Sequence, residues 1–306
     1  MILVVLLYLL FSLTFTFGKA AIAYAGAIFF TGSRMFVGGL VLLIYYIVSN
    51  RAKAKEFLAF KYMRLWLVLA LFNIFLSNTL EFWGLQTLSA AKASFLFSLS
   101  PFFAALFSYL FFGERMTHRK WIGLMIGFIG FIPILIHSTP KEDLLNDFSI
   151  FSWGEIALIG AAIANALGWI IMRHSIHKKG YPATLSNGMS MLLGSLMIMP
   201  TSLIFETWNP LPISNYAKFG FFLVLLVITS NILAYNLYGS LLKKYTATFL
   251  SFGGFMTPLF AALTGWLFLG ETVSWHFFLS VSTVFCGLFI FYQEELRLSY
   301  AAYGHL

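Results

Sequence analysis

The sequence predicts an all-α integral membrane protein of ten transmembrane helices, arranged as two inverted-topology five-helix repeats. Three observations predict it. Of the 306 residues, 60% are hydrophobic and 10% charged, with a mean hydropathy of +0.87, whereas a soluble domain carries about 25% charged residues. The apolar residues fall into runs of membrane-crossing length, for which ~20 residues suffice. The second half of the chain also repeats the first at a fixed offset. A soluble fold of this size could not hide so much apolar surface, so lipid must serve as much of its solvent.

The first run, 2–22, has no charged leader and is followed by many equivalent runs, so it reads as a retained helix and not a signal peptide. It carries Tyr8 and Ser12, with Lys19 at its outer end. The second, 24–48, holds Arg34. In the third, 65–87, Asn73, Ser77 and Glu81 recur every fourth residue with Asn78 beside them, which predicts one wet helical face. The fourth, 89–112, has Lys92 at its outer end, then Ser94, Ser98 and a mid-run Pro101. The fifth, 121–137, is short, and its Gly123 and Gly127, with Gly130 one turn on, predict close helix packing within the bundle.

The sixth run, 153–172, contributes Asn165 and Trp169; the seventh is 183–205. The eighth, 218–241, places Asn231, Tyr235 and Tyr238 at i, i+4 and i+7. The ninth, 247–269, carries Ser251 and Pro258, and the tenth, 275–292, carries Cys286, read as a small packing residue. Both prolines would bend their helices and are candidate hinges or gate elements, or else static kinks. Most connections are tight; the longer ones are Ser49–Arg64 and Ser138–Ser152.

Lysine and arginine set the orientation. With a cytoplasmic N-terminus, the cytoplasmic side carries Arg51, Lys53, Lys55, Lys61, Arg64, Arg115, Arg119, Lys120, Arg173, Lys178, Lys179, Lys243, Lys244 and Arg297, fourteen in all. The other side carries four, Lys19, Lys92, Lys141 and Lys218. This bias predicts a multi-pass protein, in a bacterial inner (cytoplasmic) membrane, with both termini cytoplasmic. The net charge of +8 lies in short clusters between apolar runs, so it speaks to topology and excludes a nucleic-acid partner.

A shift of 157 residues superposes Ser94, Phe95, Pro101, Ala104, Ala105, Leu106, Leu110, Phe111, Gly113 and Glu114 on Ser251, Phe252, Pro258, Ala261, Ala262, Leu263, Leu267, Phe268, Gly270 and Glu271. It also pairs Tyr24 with Tyr181 and Gly130 with Gly287. Each unit has an odd number of spans, so the second copy enters the membrane from the opposite face. The expected organisation is a first repeat over 1–137, a non-cytoplasmic linker over 138–152, a second repeat over 153–293 and a cytoplasmic tail over 294–306.

These residues resemble the EamA-type carriers of the drug/metabolite transporter superfamily. Phe11–Lys19, FSLTFTFGK, resembles that family's first-helix pattern WGSNFxxxK, with Phe11 for the usual Trp and Thr14 for the usual Asn. Arg34 resembles the arginine of its second helix. Ala93–Glu114 and Thr248–Glu271 both resemble the helix with a mid-span proline that ends in Gly-Glu. The resemblance implies a ten-helix fold around a central cavity that works by alternating access.

Burying an ionisable group in a span costs ~2.5–3.5 kcal/mol, so these groups are the sharpest functional pointers. Arg34 lies ~15 Å into its helix at ~1.5 Å per residue. Arg34, Glu81, Lys19 and Lys92 all fall in the outer half of the first repeat, and their repeat mates Met191, Tyr238, Ile176 and Phe249 are uncharged. The functional reading is a substrate or ion site with an Arg34–Glu81 or Lys–Glu81 pair; the alternative is a structural ion pair. Lys19 and Lys92 would otherwise snorkel.

The expected function is secondary transport of a small polar metabolite. Tyr8, Asn78, Glu81, Asn165, Trp169, Tyr235, Tyr238 and Arg34 are the expected substrate contacts. A site with both signs suits a zwitterion, an amino acid or an S-adenosylmethionine-like compound of the kind some relatives move. The alternatives are an anionic nucleotide- or sugar-phosphate-type cargo, and a channel. Coupling to a proton or a counter-substrate is the expected energy source. No catalytic residue, cofactor or metal is expected: the histidines are scattered, His174 and His177 sit in a basic loop, one cysteine gives no framework, and no GxxxxGK[ST] loop is present. Glu114 and Glu271 are expected to cap or pair locally.

Overall fold

The computed structural model describes residues 2–50, 63–112, 116–133, 152–179, 181–241, 250 and 253–303. The helices are α1 (Ile2–Ala21), α2 (Ala27–Ser49), α3 (Met63–Leu85), α4 (Ala90–Phe97), α5 (Ser100–Phe112), α6 (His118–Gly130), α7 (Trp153–Lys179), α8 (Ala183–Phe205), α9 (Tyr216–Leu241), α10 (Met256–Leu269) and α11 (Trp275–Tyr303). Among the described residues there is no strand, only an isolated bridge between Ala25 and Ile213.

Eight helical stretches among the described residues are long and apolar enough to cross a membrane, so the protein is a multi-pass integral membrane protein. The expected fifth and ninth spans are represented by the shorter α6 and α10; residues 134–151, 242–249, 251 and 252 lie outside the described set. Large apolar side chains such as Ile44, Trp266 and Phe278 face outward, as a lipid solvent requires. Cys286 is also exposed, which corrects its reading as a packing residue: its turn of α11 faces away from the bundle. α11 runs unbroken to Tyr303, through the region expected as tail.

Local chemistry explains the boundaries. Ser89 caps α4 by accepting from the Lys92 amide at 3.2 Å, and Asn215 caps α9 through the Lys218 amide at 3.0 Å. Ser152 and Glu155 form a reciprocal capping box at the start of α7, 3.2 Å and 2.7 Å. Gly270 ends α10 in the left-handed conformation at φ 66°, which glycine adopts without a Cβ penalty. Pro101 and Pro258 each stand in the first turn of a new segment, after breaks at Ser98–Leu99 and Gly254–Phe255, where a missing N–H costs little.

Two helix pairs form the tightest seams. α2 runs antiparallel to α8: Gly39 abuts Gly188 and Leu192, while Gly32 abuts Ile198 and Met199. α6 runs antiparallel to α11, and the GxxxG motif is used there. A Cβ on Gly130 would sit 2.8 Å from the Val284 nitrogen, and one on Gly287 would sit 2.5 Å from the Gly127 nitrogen. Shifted by 157 residues, Gly127 becomes Val284 and Gly130 becomes Gly287, so this is one contact made from each half.

α3 and α9 share a rarer feature. Each contains a π-helical stretch, Ala70–Leu76 and Val227–Ala234, and the two begin 157 residues apart. The wider i→i+5 turn shifts the phase of everything that follows it, and such stretches are frequent at functional sites.

Candidate functional site

Helices α1, α3, α7 and α9, with the α4–α5 break and the entry to α10, surround a cavity of about 950 Å3, open solvent at its mouth included. One face of α1 supplies Tyr8, Phe11, Thr14 and Phe15; α3 supplies Asn78 and Glu81; α7 supplies Asn165 and Trp169; and α9 supplies Ser230, Tyr235 and Tyr238. Ser94, Ser98, Ser100 and Pro101 come from around the α4–α5 break, Gly254 from the break before α10 and Thr257 from α10. The break at Ser98–Leu99 thus leaves serines at the cavity wall where a straight apolar helix would present bulk.

One wall is aromatic. Trp169 lies 4.1 Å from Tyr238 and 5.6 Å from Tyr235, centroid to centroid. Phe11 meets the same tyrosines edge-on, at 5.9 Å and 6.2 Å. Tyr8 packs beside Phe11 at 6.3 Å, and its hydroxyl donates to the Leu250 carbonyl. This side offers flat apolar surface and the negative faces of rings.

A polar set adjoins it through Tyr235. Asn78 Oδ1 accepts from Arg34 Nη2 at 2.9 Å, and its Nδ2 donates to the Asn73 carbonyl at 3.1 Å and to the Tyr235 hydroxyl at 3.3 Å. Arg34 also donates to Ser230 Oγ at 3.3 Å and lies 4.7 Å over the Phe82 ring. Glu81, one turn past Asn78, lines the cavity and is 5% exposed. Among the described residues its carboxylate has no hydrogen-bond or ion-pair partner. The Arg34 guanidinium behind the wall attracts this carboxylate without touching it, and its place in a largely apolar cavity makes it a candidate position for a cation.

Of the eight residues expected from the sequence, seven line the cavity: Tyr8, Asn78, Glu81, Asn165, Trp169, Tyr235 and Tyr238. Arg34 does not. It is fully buried behind the wall, and its hydrogen-bond partners among the described residues are Asn78 and Ser230. The expected Arg34–Glu81 pair is not formed, because the guanidinium is turned to those neutral partners. Nor is a Lys–Glu81 pair. Lys92 pairs with Glu155 at 2.8 Å, buried instead of snorkelling, and Lys19 donates to the carbonyls of Leu85 (2.8 Å) and Leu88 at the end of α3.

The wet face expected on α3 is also rearranged. Asn73 and Ser77 are buried in protein and do not line the cavity, and Asn231 is turned to Met35 and Met191, 3.1 Å and 3.6 Å from their sulfurs. The π stretch of α3 breaks the spacing between Asn73 and the residues that follow it, of which Asn78 and Glu81 reach the cavity. Ser12 bonds the Leu9 carbonyl at 2.7 Å instead of facing it. Ser251, Glu114 and the side chains of His174 and His177 lie outside the described residues. Glu271 caps a helix of the other half, accepting from the Ala90 amide at 3.0 Å and 3.1 Å. Phe11, Thr14 and Ser230 were not anticipated in the site, although Phe11 and Phe15 continue the helical face of Tyr8 at i+3 and i+7.

The model of the EamA-like transporter family matches residues 1–136 and 152–293. An S-adenosylmethionine/S-adenosylhomocysteine transporter of Chlamydia muridarum is 33% identical over 301 residues, 95% of this chain and 91% of its own. A transporter of the same description from Chlamydia trachomatis serovar L2 is 32% identical over 298 residues, 95% and 88% of the two chains. A solved crystal structure superposes with a TM-score of 0.67 over 95% of this chain and 96% of its own. Its identity is 16%, so the likeness is one of fold.

Proposed function

Because the chain belongs to the EamA-like transporter family, we propose that it carries S-adenosylmethionine and S-adenosylhomocysteine across the membrane, binding them in the cavity between Glu81 and the Trp169 wall. The observation that carries this reading is a Glu81 carboxylate with no direct hydrogen-bond or ion-pair partner among the described residues, lining the same cavity as the aromatic rings. S-adenosylmethionine has a flat adenine, a sulfonium, an ammonium and a carboxylate. The adenine suits the surfaces of Trp169 and Tyr238, and the cationic groups suit Glu81 and the ring faces. The names of the chlamydial relatives, similar over nearly the whole chain, support the same cargo. An anionic nucleotide or sugar-phosphate cargo is less favoured, since Arg34, Lys19 and Lys92 do not line the cavity.

Transport is proposed to proceed by alternating access between two oppositely oriented five-helix repeats, 1–137 and 153–293, joined by a non-cytoplasmic linker over 138–152. The reciprocal Gly130–Val284 and Gly127–Gly287 contacts, and the equivalent π stretches, support that symmetry. The lysine and arginine bias supports cytoplasmic termini in a bacterial inner membrane; counter-substrate or proton is proposed as the coupling partner.

Proteoliposomes test the cargo. Labelled S-adenosylmethionine should enter saturably and faster when S-adenosylhomocysteine is inside, and Glu81→Gln should lower uptake by roughly tenfold or more with an unchanged gel-filtration profile. Undiminished uptake by Glu81→Gln, or uptake of sugar phosphates in place of S-adenosylmethionine, would overturn the reading.

A further inference from the structure

Hydrogen-bond polarity around Asn78 carries information that cavity shape does not. A guanidinium can only donate, so Arg34 Nη2, 2.9 Å from Asn78, fixes which end of the amide is oxygen. The amide nitrogen then has two protons to place, and it faces the Asn73 carbonyl at 3.1 Å and the Tyr235 oxygen at 3.3 Å. Tyr235 therefore accepts from Asn78. The reverse, Tyr235 donating to Oδ1, spans 3.5 Å, the longer of the two contacts. Asn78 is the sole hydrogen-bond partner of the Tyr235 hydroxyl among the described residues, so its proton is left for whatever enters the cavity.

We infer that Arg34 is a positioning residue for substrate recognition, acting through Asn78 to present the Tyr235 O–H as a donor to the carboxylate of the substrate. Glu81, three residues after Asn78 on α3, presents an acceptor to the cationic end. The two groups sort ligands by charge order: those with both a carboxylate and a cation use both, and those with a cation alone use only Glu81. This rests on the cargo proposed above. It gives the buried Arg34 a role without contact to the ligand, since its charge never enters the cavity.

The experiment compares binding of S-adenosylmethionine with binding of its decarboxylated counterpart, by calorimetry on purified protein. The affinity ratio is the readout, because a folding defect lowers both affinities together. Wild type should prefer the carboxylated ligand by roughly tenfold to a hundredfold, the range for a hydrogen bond to a charged group. Tyr235→Phe should bring the ratio to about one. Asn78→Asp is isosteric and keeps the Arg34 contact, but it removes the amide donor and obliges Tyr235 to donate inward. It should also bring the ratio to about one, with no further change in the Asn78→Asp/Tyr235→Phe double variant. A wild-type ratio near one, or a preference that survives Tyr235→Phe or Asn78→Asp, overturns the inference while leaving the cargo intact. Additive effects in the double variant overturn it as well, since they would mark a direct charge effect of the aspartate. If wild type binds neither ligand, the cargo assignment itself fails and the inference falls with it.

Discussion

Lys92 and Glu155 form a 2.8 Å ion pair whose side chains are 7% and 4% exposed, fastening the first turn of α4 to the first turn of α7. Glu155 closes its own capping box at the same time. A pair removed this far from water is costly to break by halves, because the survivor is left charged and buried. Lys92→Met should therefore destabilise the protein by ~3–5 kcal/mol. The Lys92→Met/Glu155→Gln double variant should recover much of that loss. Thermal unfolding in detergent measures both, and an additive double variant would show that the pair is not coupled.

Trp169 and Tyr238 lie 4.1 Å apart on the aromatic wall. If they flank a flat, cationic ligand, Trp169→Leu should keep the apolar bulk while losing the ring face. The expected result is a rise of roughly threefold to thirtyfold in the concentration for half-maximal uptake, from the ~0.5–2 kcal/mol of a cation–π contact. Trp169→Phe should fall between the two. Competition by unlabelled substrate in proteoliposomes gives the constants; equal behaviour of Leu and Trp would remove the ring from the site.

The membrane fold could be read from apolar run lengths because each span answers to the bilayer locally. Most of the cavity could be read too, since polar residues in spans must face protein or water. Asn73, Ser77 and Asn231 satisfy that rule by facing protein, so the rule alone does not place them at the cavity. Asn73 and Asn231 lie within the π stretches of α3 and α9, and no fourfold pattern carries across such a change of phase. Arg34 also faces protein: its depth was legible, but its turn toward Asn78 and Ser230 depends on helices far apart in sequence. Phe11 was passed over because a phenylalanine in a lipid-facing composition carries no distinguishing signal of its own.

The α6–α11 seam depends on absent side chains. Gly287 packs on the backbone of Gly123 and Gly127, and a Cβ there has no flexible neighbour to push aside. Gly287→Val should cost ~1–3 kcal/mol or more by overpacking and separate the two helices. Gly220, inside α9 with nothing near its Cβ position, is the control, and Gly220→Ala should hold or slightly raise the midpoint, since alanine favours a helix. Comparing the two by thermal unfolding separates seam packing from a general intolerance of side-chain additions.

Glu271 accepts from the Ala90 amide with both carboxylate oxygens, at 3.1 Å and 3.0 Å, so a residue after α10 caps the start of α4. A carboxylate at a helix N-terminus satisfies an orphan N–H and meets the positive end of the dipole. Glu271→Ala should lose ~0.5–2 kcal/mol, the range of an N-cap. Glu271→Gln should lose less, because the amide oxygen can still accept while the charge is gone. The order wild type, Gln, Ala in thermal midpoint is the expected outcome. Salt provides a second handle: ions screen the charge–dipole part alone, so the gap between wild type and Glu271→Gln should narrow at high ionic strength. A gap that persists unchanged would place the whole effect in the hydrogen bond.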